Sequence, residues 1–213
     1  MLLTTTRCGS SATSGASVVG QVIVDESFAH FSTEGRPPTL APLVAELPHL
    51  VVVNSMSKSH GIAGLRLGYA VMDPAKARRL GAARLWSTNA FAEWFCELLG
   101  DPAYGRAYES ARRRYVRDAR ALFAQLAALP GVRAHPTGAN YALLRLDRPA
   151  APVAAELLDR HGVYVRDCAD KWGLDGGRHL RVAARSQAEN ARILAALADV
   201  LSRRTGAIAA AAA

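Results

Sequence analysis

Cysteine is scarce in this 213-residue chain: Cys8, Cys96 and Cys168 are odd in number and far apart. Such a set supplies neither a disulfide framework nor the spacing of zinc ligands, so a reducing cytoplasm is the expected location. Long apolar runs are missing too. No stretch approaches the roughly 20 residues that span a bilayer, and the start lacks a basic region followed by an apolar core, so no membrane association is expected. His30, His60 and His161 lack the spacing of a metal site, and no internal repeat is present. A recognised nucleic-acid motif is absent as well, despite 26 Lys+Arg against 18 Asp+Glu, a net charge of +8 and a pI near 9.9. The densest basic cluster, Arg112-Arg113-Arg114, precedes Ala119, Leu122, Phe123 and Leu126 at helical spacing, so it is expected to form the solvated face of an amphipathic helix. The excess positive charge suits anionic small molecules instead.

Apolar content, by contrast, is ample: half of the residues are hydrophobic, enough to bury a sizeable core in one or two domains. The runs at residues 21–24, 50–53 and 67–71 predict short buried strands, with a helical segment near 40–47. Asp73-Pro74 predicts a helix start and Gly81 its end. Helices are expected over 86–99 and 106–129, closing at Pro130-Gly131. A strand over 141–146, a helix over 152–160 and strands over 163–165 and 179–183 follow. The final helix opens on Ser186 and Glu189, spaced as a capping box. Residues 1–19 are polar and rich in Ser, Thr and Gly without hydrophobic period, which predicts a disordered lead-in. The alternative there is a small anion nest at Cys8-Gly9-Ser10-Ser11 and Thr13-Ser14-Gly15.

The richest chemistry lies in Asn54-Ser55-Met56-Ser57-Lys58-Ser59-His60-Gly61-Ile62-Ala63-Gly64-Leu65-Arg66-Leu67-Gly68. One amine stands there among hydroxyls, glycines and a guanidinium. A buried strand ending in small polar residues delivers their side chains to the rim of a sheet. A lysine at such a rim is expected to be partly desolvated, which favours the neutral amine that attacks a carbonyl. Arg66 offers a fixed fork to a phosphate dianion, and Ser55 and Ser57 add hydroxyls. Together these residues describe a site for a phosphorylated aldehyde.

Ser-x-x-Lys followed by Gly-x-x-Gly-x-Arg resembles the cofactor-lysine motif of fold-type I pyridoxal 5′-phosphate enzymes, the aspartate aminotransferase superfamily. Val22-Ile23-Val24-Asp25-Glu26-Ser27-Phe28 is similar to that family's strand ending in the aspartate that pairs with the pyridine nitrogen. Leu180-Arg181-Val182-Ala183-Ala184-Arg185-Ser186 resembles the C-terminal segment whose arginine holds the substrate carboxylate. The likeness is strongest to histidinol-phosphate aminotransferases and threonine-phosphate decarboxylases, and it runs from about Val22 to Leu201. It implies an α/β fold: part of a large cofactor domain with a mostly parallel sheet, then a small α+β domain. The corresponding division is 1–20 unassigned, 21–85 large domain, 86–205 linking helices and small domain, and 206–213 an Ala-rich tail. Phe28 stands where many aminotransferases carry a tyrosine, which tilts the likeness toward the decarboxylase and phosphonate-pathway side. Enzymes of this fold type are about twice as long, and the resemblance begins near their middle, so the front half of the fold is expected to be missing.

The resemblance implies pyridoxal phosphate as cofactor, with Lys58 catalytic, Asp25, Ser55, Ser57, Lys58 and Arg66 binding it, and Arg181 and Arg166 binding substrate. Each position keeps a plainer alternative. Lys58 by itself reads as a surface lysine, Asp25 as a turn or cap carboxylate, Arg181 as half of a surface ion pair, and Arg166 as the partner of Asp167. The implied activity is transamination between an amino acid and a keto acid, with decarboxylation of a phosphorylated amino acid as the alternative. A non-catalytic remnant that pairs with a separate front half is the rival class. A homodimer or a complementing N-terminal half is the expected partner, and the chain alone is expected to be inactive.

Overall fold

A computed structural model describes residues 3–6, 20–83, 88–174 and 176–210, with the backbone alone at 3–6 and 204–210. The chain divides into two compact units, Met1–Arg112 and Arg113–Ala213.

The first unit is organised by a β-branched pair of strands, β2 (Gln21–Asp25) and β3 (Leu50–Ser55), which run parallel with Val22 opposite Leu50 and Asp25 opposite Val53. Val24, Leu50 and Val52 are buried in this pair and pack with Val44. On the outer side of β2 lies β1 (Leu3–Thr6), antiparallel to it. A strand within the segment expected to be a disordered lead-in is a correction, and its physical basis is backbone pairing, which needs no hydrophobic period. The proposed anion nest at 8–15 lies outside the described residues. On the other side, β4 (Gly68–Val71) is antiparallel to β3, so the expected parallel arrangement holds for the central pair. Residues 56–67 hold one helical turn, α1 (Met56–Ser59), and a 3-10 turn over Ala63–Leu65. That is too little helix to carry the chain back along the sheet for another parallel strand. The helix anticipated near 40–47 is likewise a 3-10 turn, Ala41–Ala45. Pro42 sits in its first turn, where a proline is tolerated, and Pro48 stands soon after its end and limits any extension.

Helix α2 (Pro74–Ala83) starts where expected, with Asp73 Oδ1 accepting from the N–H groups of Ala75 and Lys76 at 3.0 and 3.1 Å. Gly81 does not end it. A glycine inside a helix costs only about 1 kcal/mol relative to alanine, and two strong helix formers, Ala82 and Ala83, follow it. The expected helix start at Trp86 lies outside the described residues. Helix α3 (Ala90–Leu99) begins instead at an Asn89 cap, whose Oδ1 accepts from Ala92 N–H at 3.0 Å. Helix α4 (Pro102–Ala127) is longer than anticipated, and Arg112 overturns the reading of a wholly solvated basic face. Its side chain is 2 % exposed, and it donates to the carbonyls of His30, Thr33, Glu34 and Gly35 at 2.6–3.0 Å while pairing with Glu109 at 2.8 Å. Helical phase explains the difference: Arg112 lies four residues from both Tyr108 and buried Val116, whereas Arg113 and Arg114 turn to solvent.

The second unit is an antiparallel sheet in the order β5 (Val132–Ala134), β6 (Tyr141–Leu146), β8 (His179–Ala183), β7 (Arg166–Asp167). Along β6 the burial alternates, with Ala142, Leu144 and Leu146 inward, and Leu180 and Val182 of β8 join them. Helices α5 (Ala150–His161) and α6 (Gln187–Ala210) and residues 119–126 of α4 cover that face through Val153, Leu157, Leu197, Leu122 and Leu126. Each such side chain, fully buried, contributes about 1.5–3 kcal/mol of transfer free energy. The strand expected over 163–165 lies slightly later, at β7, because Val163 and Val165 serve as core residues ahead of it. Strand β5 was not anticipated; it is three residues long and only half-buried. The capping box forms as read, Ser186 N–H donating to Glu189 Oε2 at 3.1 Å and Glu189 N–H to Ser186 Oγ at 3.3 Å.

Arg112→Ala would leave four carbonyls and a carboxylate without their donor, and we expect it to destabilise the first unit by about 3–5 kcal/mol. Arg112→Lys should not restore the loss, since one ammonium cannot reproduce the guanidinium fork. Urea unfolding midpoints test this against the exposed control Arg114→Ala, which should stay within about 0.5 kcal/mol of the parent.

Candidate active site

The parallel β2–β3 pair ends at one edge of the sheet, and the residues just beyond it are tied together. Glu26 N–H donates to Val53 O at 2.9 Å, and Ser55 N–H donates to the Oγ of buried Ser27 at 2.8 Å. Asp25 Oδ1 accepts from Ser27 N–H at 2.9 Å, so Ser27 bridges the carboxylate to the strand that carries Ser55. Ser55 caps α1, its Oγ facing Ser57 N–H at 3.4 Å. Asn54 Nδ2 donates to Glu26 O at 3.3 Å, while its Oδ1 is buried with no partner among the described residues. Gly68 lies against this edge: a Cβ there would stand 2.8 Å from Asn54 O, so only glycine lets the returning strand approach.

Arg66 sits just before that strand with φ 54°, the one non-glycine residue with positive φ among the described residues. Such a conformation costs about 1–3 kcal/mol and persists where its surroundings impose it. Its Nη1 donates to Ala63 O at 3.1 Å. Asp25, Ser27, Asn54, Ser55, Ser57 and Arg66 together line an open cavity of about 490 Å³, joined by Tyr69. Lys58 follows Ser57 in sequence but does not line this cavity. Its side chain is exposed, which corrects the expectation of a desolvated lysine. On α1 the buried face belongs to Met56, and residues two apart on a helix point in different directions.

The C-terminal side of α1 is held through His60 by two aromatics, Tyr108 and Phe95, that the sequence reading passed over. The His60 ring stacks on Tyr108 of α4 at 4.3 Å with 9° between planes, and meets Phe95 edge-on at 5.6 Å. His30 Nδ1 and Tyr108 Oη are 2.9 Å apart. Burial pushes the His60 pKa down to about 4, with the neighbouring His30 adding to the effect, and burial pushes Tyr108 up to about 12. The imidazole of His60 is thus neutral near pH 7. Phe28 tilts against Phe31 at 6.4 Å.

In the second unit, Arg166 and Arg181 are direct partners across β7 and β8, which puts both side chains on one face of the sheet. Both are exposed. The Arg181 guanidinium lies 4.9 Å from the centre of the Tyr141 ring. Arg166 Nη2 is 3.4 Å from Asp170 Oδ2, so its carboxylate partner is Asp170; Asp167, anticipated in that role, instead accepts from Ala169 N–H at 3.0 Å. Nothing in the sequence singled out Asp170, Ser27 or Tyr108.

As a set, the first unit's residues fit a phosphorylated pyridine aldehyde. Ser55, Ser57 and Arg66 would supply donors for a phosphate and Asp25 a carboxylate for a protonated ring nitrogen, whereas the Lys58 amine lies outside the lining of this cavity. The orphaned Asn54 Oδ1 and the close approach allowed by Gly68 are what an edge built to receive such a ligand would have.

Comparison with known proteins agrees with this chemistry. The family described as aminotransferase class I and II matches residues 19–197. The chain is similar to an L-serine phosphate decarboxylase of Campylobacter jejuni, 33% identical over 188 residues, which are 85% of this chain and 48% of that protein. It is also similar to the threonine-phosphate decarboxylase of Salmonella typhimurium, 38% identical over 185 residues, 85% of this chain and 49% of that protein. Among solved structures, a decarboxylase from Sulfurospirillum multivorans superposes with a TM-score of 0.80 at 35% identity, covering 85% of this chain and 52% of that one. The chain spans about half the length of these curated relatives.

The neutral His60 generates a pH dependence. Its folded-state pKa lies below the unfolded value of 6.5, so its contribution to stability is present above that value and is lost as pH falls toward about 4. His60→Phe keeps a ring against Tyr108 without a titrating nitrogen. We expect the stability difference between about pH 7.5 and about pH 5, measured by denaturant midpoints, to shrink in His60→Phe relative to the parent chain.

Proposed function

From the premise that the chain belongs to the class I and II aminotransferase family, whose cofactor is pyridoxal 5′-phosphate, we propose that it serves the decarboxylation of an amino acid bearing a phosphate group. The observation that carries this reading is the cross-strand pair Arg166 and Arg181. Two guanidinium groups on one face of a sheet repel each other unless anions lie between them, and a phosphorylated amino acid brings two: its phosphate and its carboxylate. The similarity to L-serine phosphate and threonine-phosphate decarboxylases supports the same choice over transamination, the activity expected first from the motifs.

In this reading Ser55, Ser57 and Arg66 bind the cofactor phosphate and Asp25 keeps the ring nitrogen protonated. When bound, the cofactor supplies an electron sink for the pair left on the substrate carbon. Arg181 orients the substrate through its carboxylate and Arg166 through its phosphate. The bond from the α-carbon to the carboxylate breaks, CO₂ leaves, and the Lys58 amine returns a proton to that carbon, so the product is an amine that retains the phosphate. His60, stacked on Tyr108, holds the end of the helix that carries Lys58. Transamination remains the second reading, favoured by the family as a whole; there the same amine moves a proton between two carbons and a keto acid is produced.

Assembly belongs to the proposal. Phe91 and Trp94 of α3 are 74 % and 60 % exposed, an apolar surface suited to a second copy or to a front half of the fold carried on another chain. No helix among the described residues is long and apolar enough to cross a membrane. Cys96 and Cys168 are free thiols, and on that ground the proposed location is the cytoplasm.

In the assembled, cofactor-loaded form, O-phospho-L-serine or O-phospho-L-threonine should release CO₂ and leave the phosphorylated amine; accumulation of a keto acid in place of CO₂ would favour transamination. Arg181→Ala should weaken binding of the amino acid by about 2–5 kcal/mol and leave cofactor binding unchanged. Equal loss of both in titration calorimetry would make Arg181 a structural residue.

A further inference from the structure

The turn after β7 holds groups that the proposed reaction leaves unused. Asp170 faces Arg166 at 3.4 Å and Lys171 at the shorter distance of 2.7 Å. It thus supplies counter-charge to one member of an arginine pair while keeping a second cation of its own. Lys171 first, and Arg166 after it, hold the Asp170 carboxyl below its ordinary range, so it stays an anion at neutral pH. Two residues beyond stands Trp172, 101 % exposed, an indole left wholly in water. A ring of that size gains from contact, and its full exposure leaves that gain unused.

The base of the turn is firm. Cys168 is buried, its N–H donates to His179 O of β8 at 3.0 Å, and Lys171 N–H donates to Cys168 O at 3.0 Å. Directly after the indole stands Gly173 at φ 82°, a residue that changes backbone conformation at little steric cost, and Leu174 N–H donates to Lys171 O at 3.3 Å. A carboxylate that already has Lys171 loses little by leaving Arg166, since an exposed ion pair is a weak clasp.

Resting on the reading of Arg166 as an anion-binding residue, we propose that Asp170 is an internal stand-in for the substrate phosphate, and that its displacement from Arg166 frees the turn to bring Trp172 down as a strap over the bound anion. The ligand-free site thereby stays neutralised against the repulsion between Arg166 and Arg181. An incoming phosphate must replace the carboxylate, so Asp170 weakens phosphate binding while coupling it to movement of the indole.

Inorganic phosphate titrated into the full chain, followed by the part of tryptophan emission that is lost in Trp172→Phe, tests this. The parent chain should give a saturable change in Trp172 emission. In Asp170→Asn phosphate should bind about two- to five-fold tighter, and the ligand-free emission should already lie toward the phosphate-bound value. Unchanged affinity in Asp170→Asn, or Trp172 emission that does not respond to phosphate, would overturn the stand-in. Arg166→Ala separates the two layers. If it abolishes the phosphate response while Asp170→Asn changes nothing, the anion site stands and the stand-in fails. If Arg166→Ala binds phosphate as well as the parent, both fail.

Discussion

Everything at the candidate active site depends on the parallel register of β2 and β3. Because the two strands point the same way and Asp25 lies opposite Val53, both chains leave the sheet at one edge, within reach of a single small molecule. The Ser27 hydroxyl fixes that edge by accepting from Ser55 N–H, and its backbone N–H holds Asp25. Had β3 been antiparallel, the carboxylate and the serine would lie at opposite ends of the sheet. The return of β4 then needs Gly68, and Arg66 is held in its left-handed conformation immediately before it. The strain at Arg66 and the missing Cβ at Gly68 are both consequences of bringing a strand back across a site edge within a short loop.

Helix α4 is the second support. Tyr108 and Arg112, one turn apart, reach two different parts of the first unit. The tyrosine stacks on His60 beside the lysine helix, and the guanidinium gathers four carbonyls of the segment that follows β2. The loops on both strands are thus tied to one rigid element. Buried carbonyls without partners are costly, so a cation fully surrounded by them and by Glu109 is a positional constraint as much as a source of stability.

Much of this was legible in the sequence, for identifiable reasons. Strands over 141–146 and 179–183 were readable because apolar residues alternate along them, and the caps at Asp73 and Ser186 follow from local chemistry alone. Lys58, Asp25, Ser55, Ser57 and Arg66 were singled out through spacing and resemblance, and all but Lys58 line one cavity. What escaped depends on partners distant in sequence. Arg112 reads as one of three arginines until helical phase groups it with Tyr108 and Val116; that signal was present and was overlooked. Ser27 acts through Ser55, 28 residues away, and no local pattern announces it. The exposure of Lys58 was also missed, because burial of a rim residue depends on what packs over it, and the strand pattern speaks only for the strand beneath.

In the proposed function, Lys58 is the residue on which the cofactor chemistry turns. The chain has three lysines: Lys76 Nζ donates to Pro48 O at 2.6 Å and Lys171 pairs with Asp170, while Lys58 has no partner among the described residues. An exposed amine without a competing partner, flanked in sequence by Ser57 and Ser59, is the one of the three most open to a phosphorylated aldehyde. The most direct measurement is borohydride reduction of the pyridoxal-phosphate-loaded protein followed by peptide mapping. The reduced pyridoxyl group should be found on Lys58 and should disappear in Lys58→Ala. Labelling confined to Lys76 or Lys171, or persisting unchanged in Lys58→Ala, would contradict the assignment of the site.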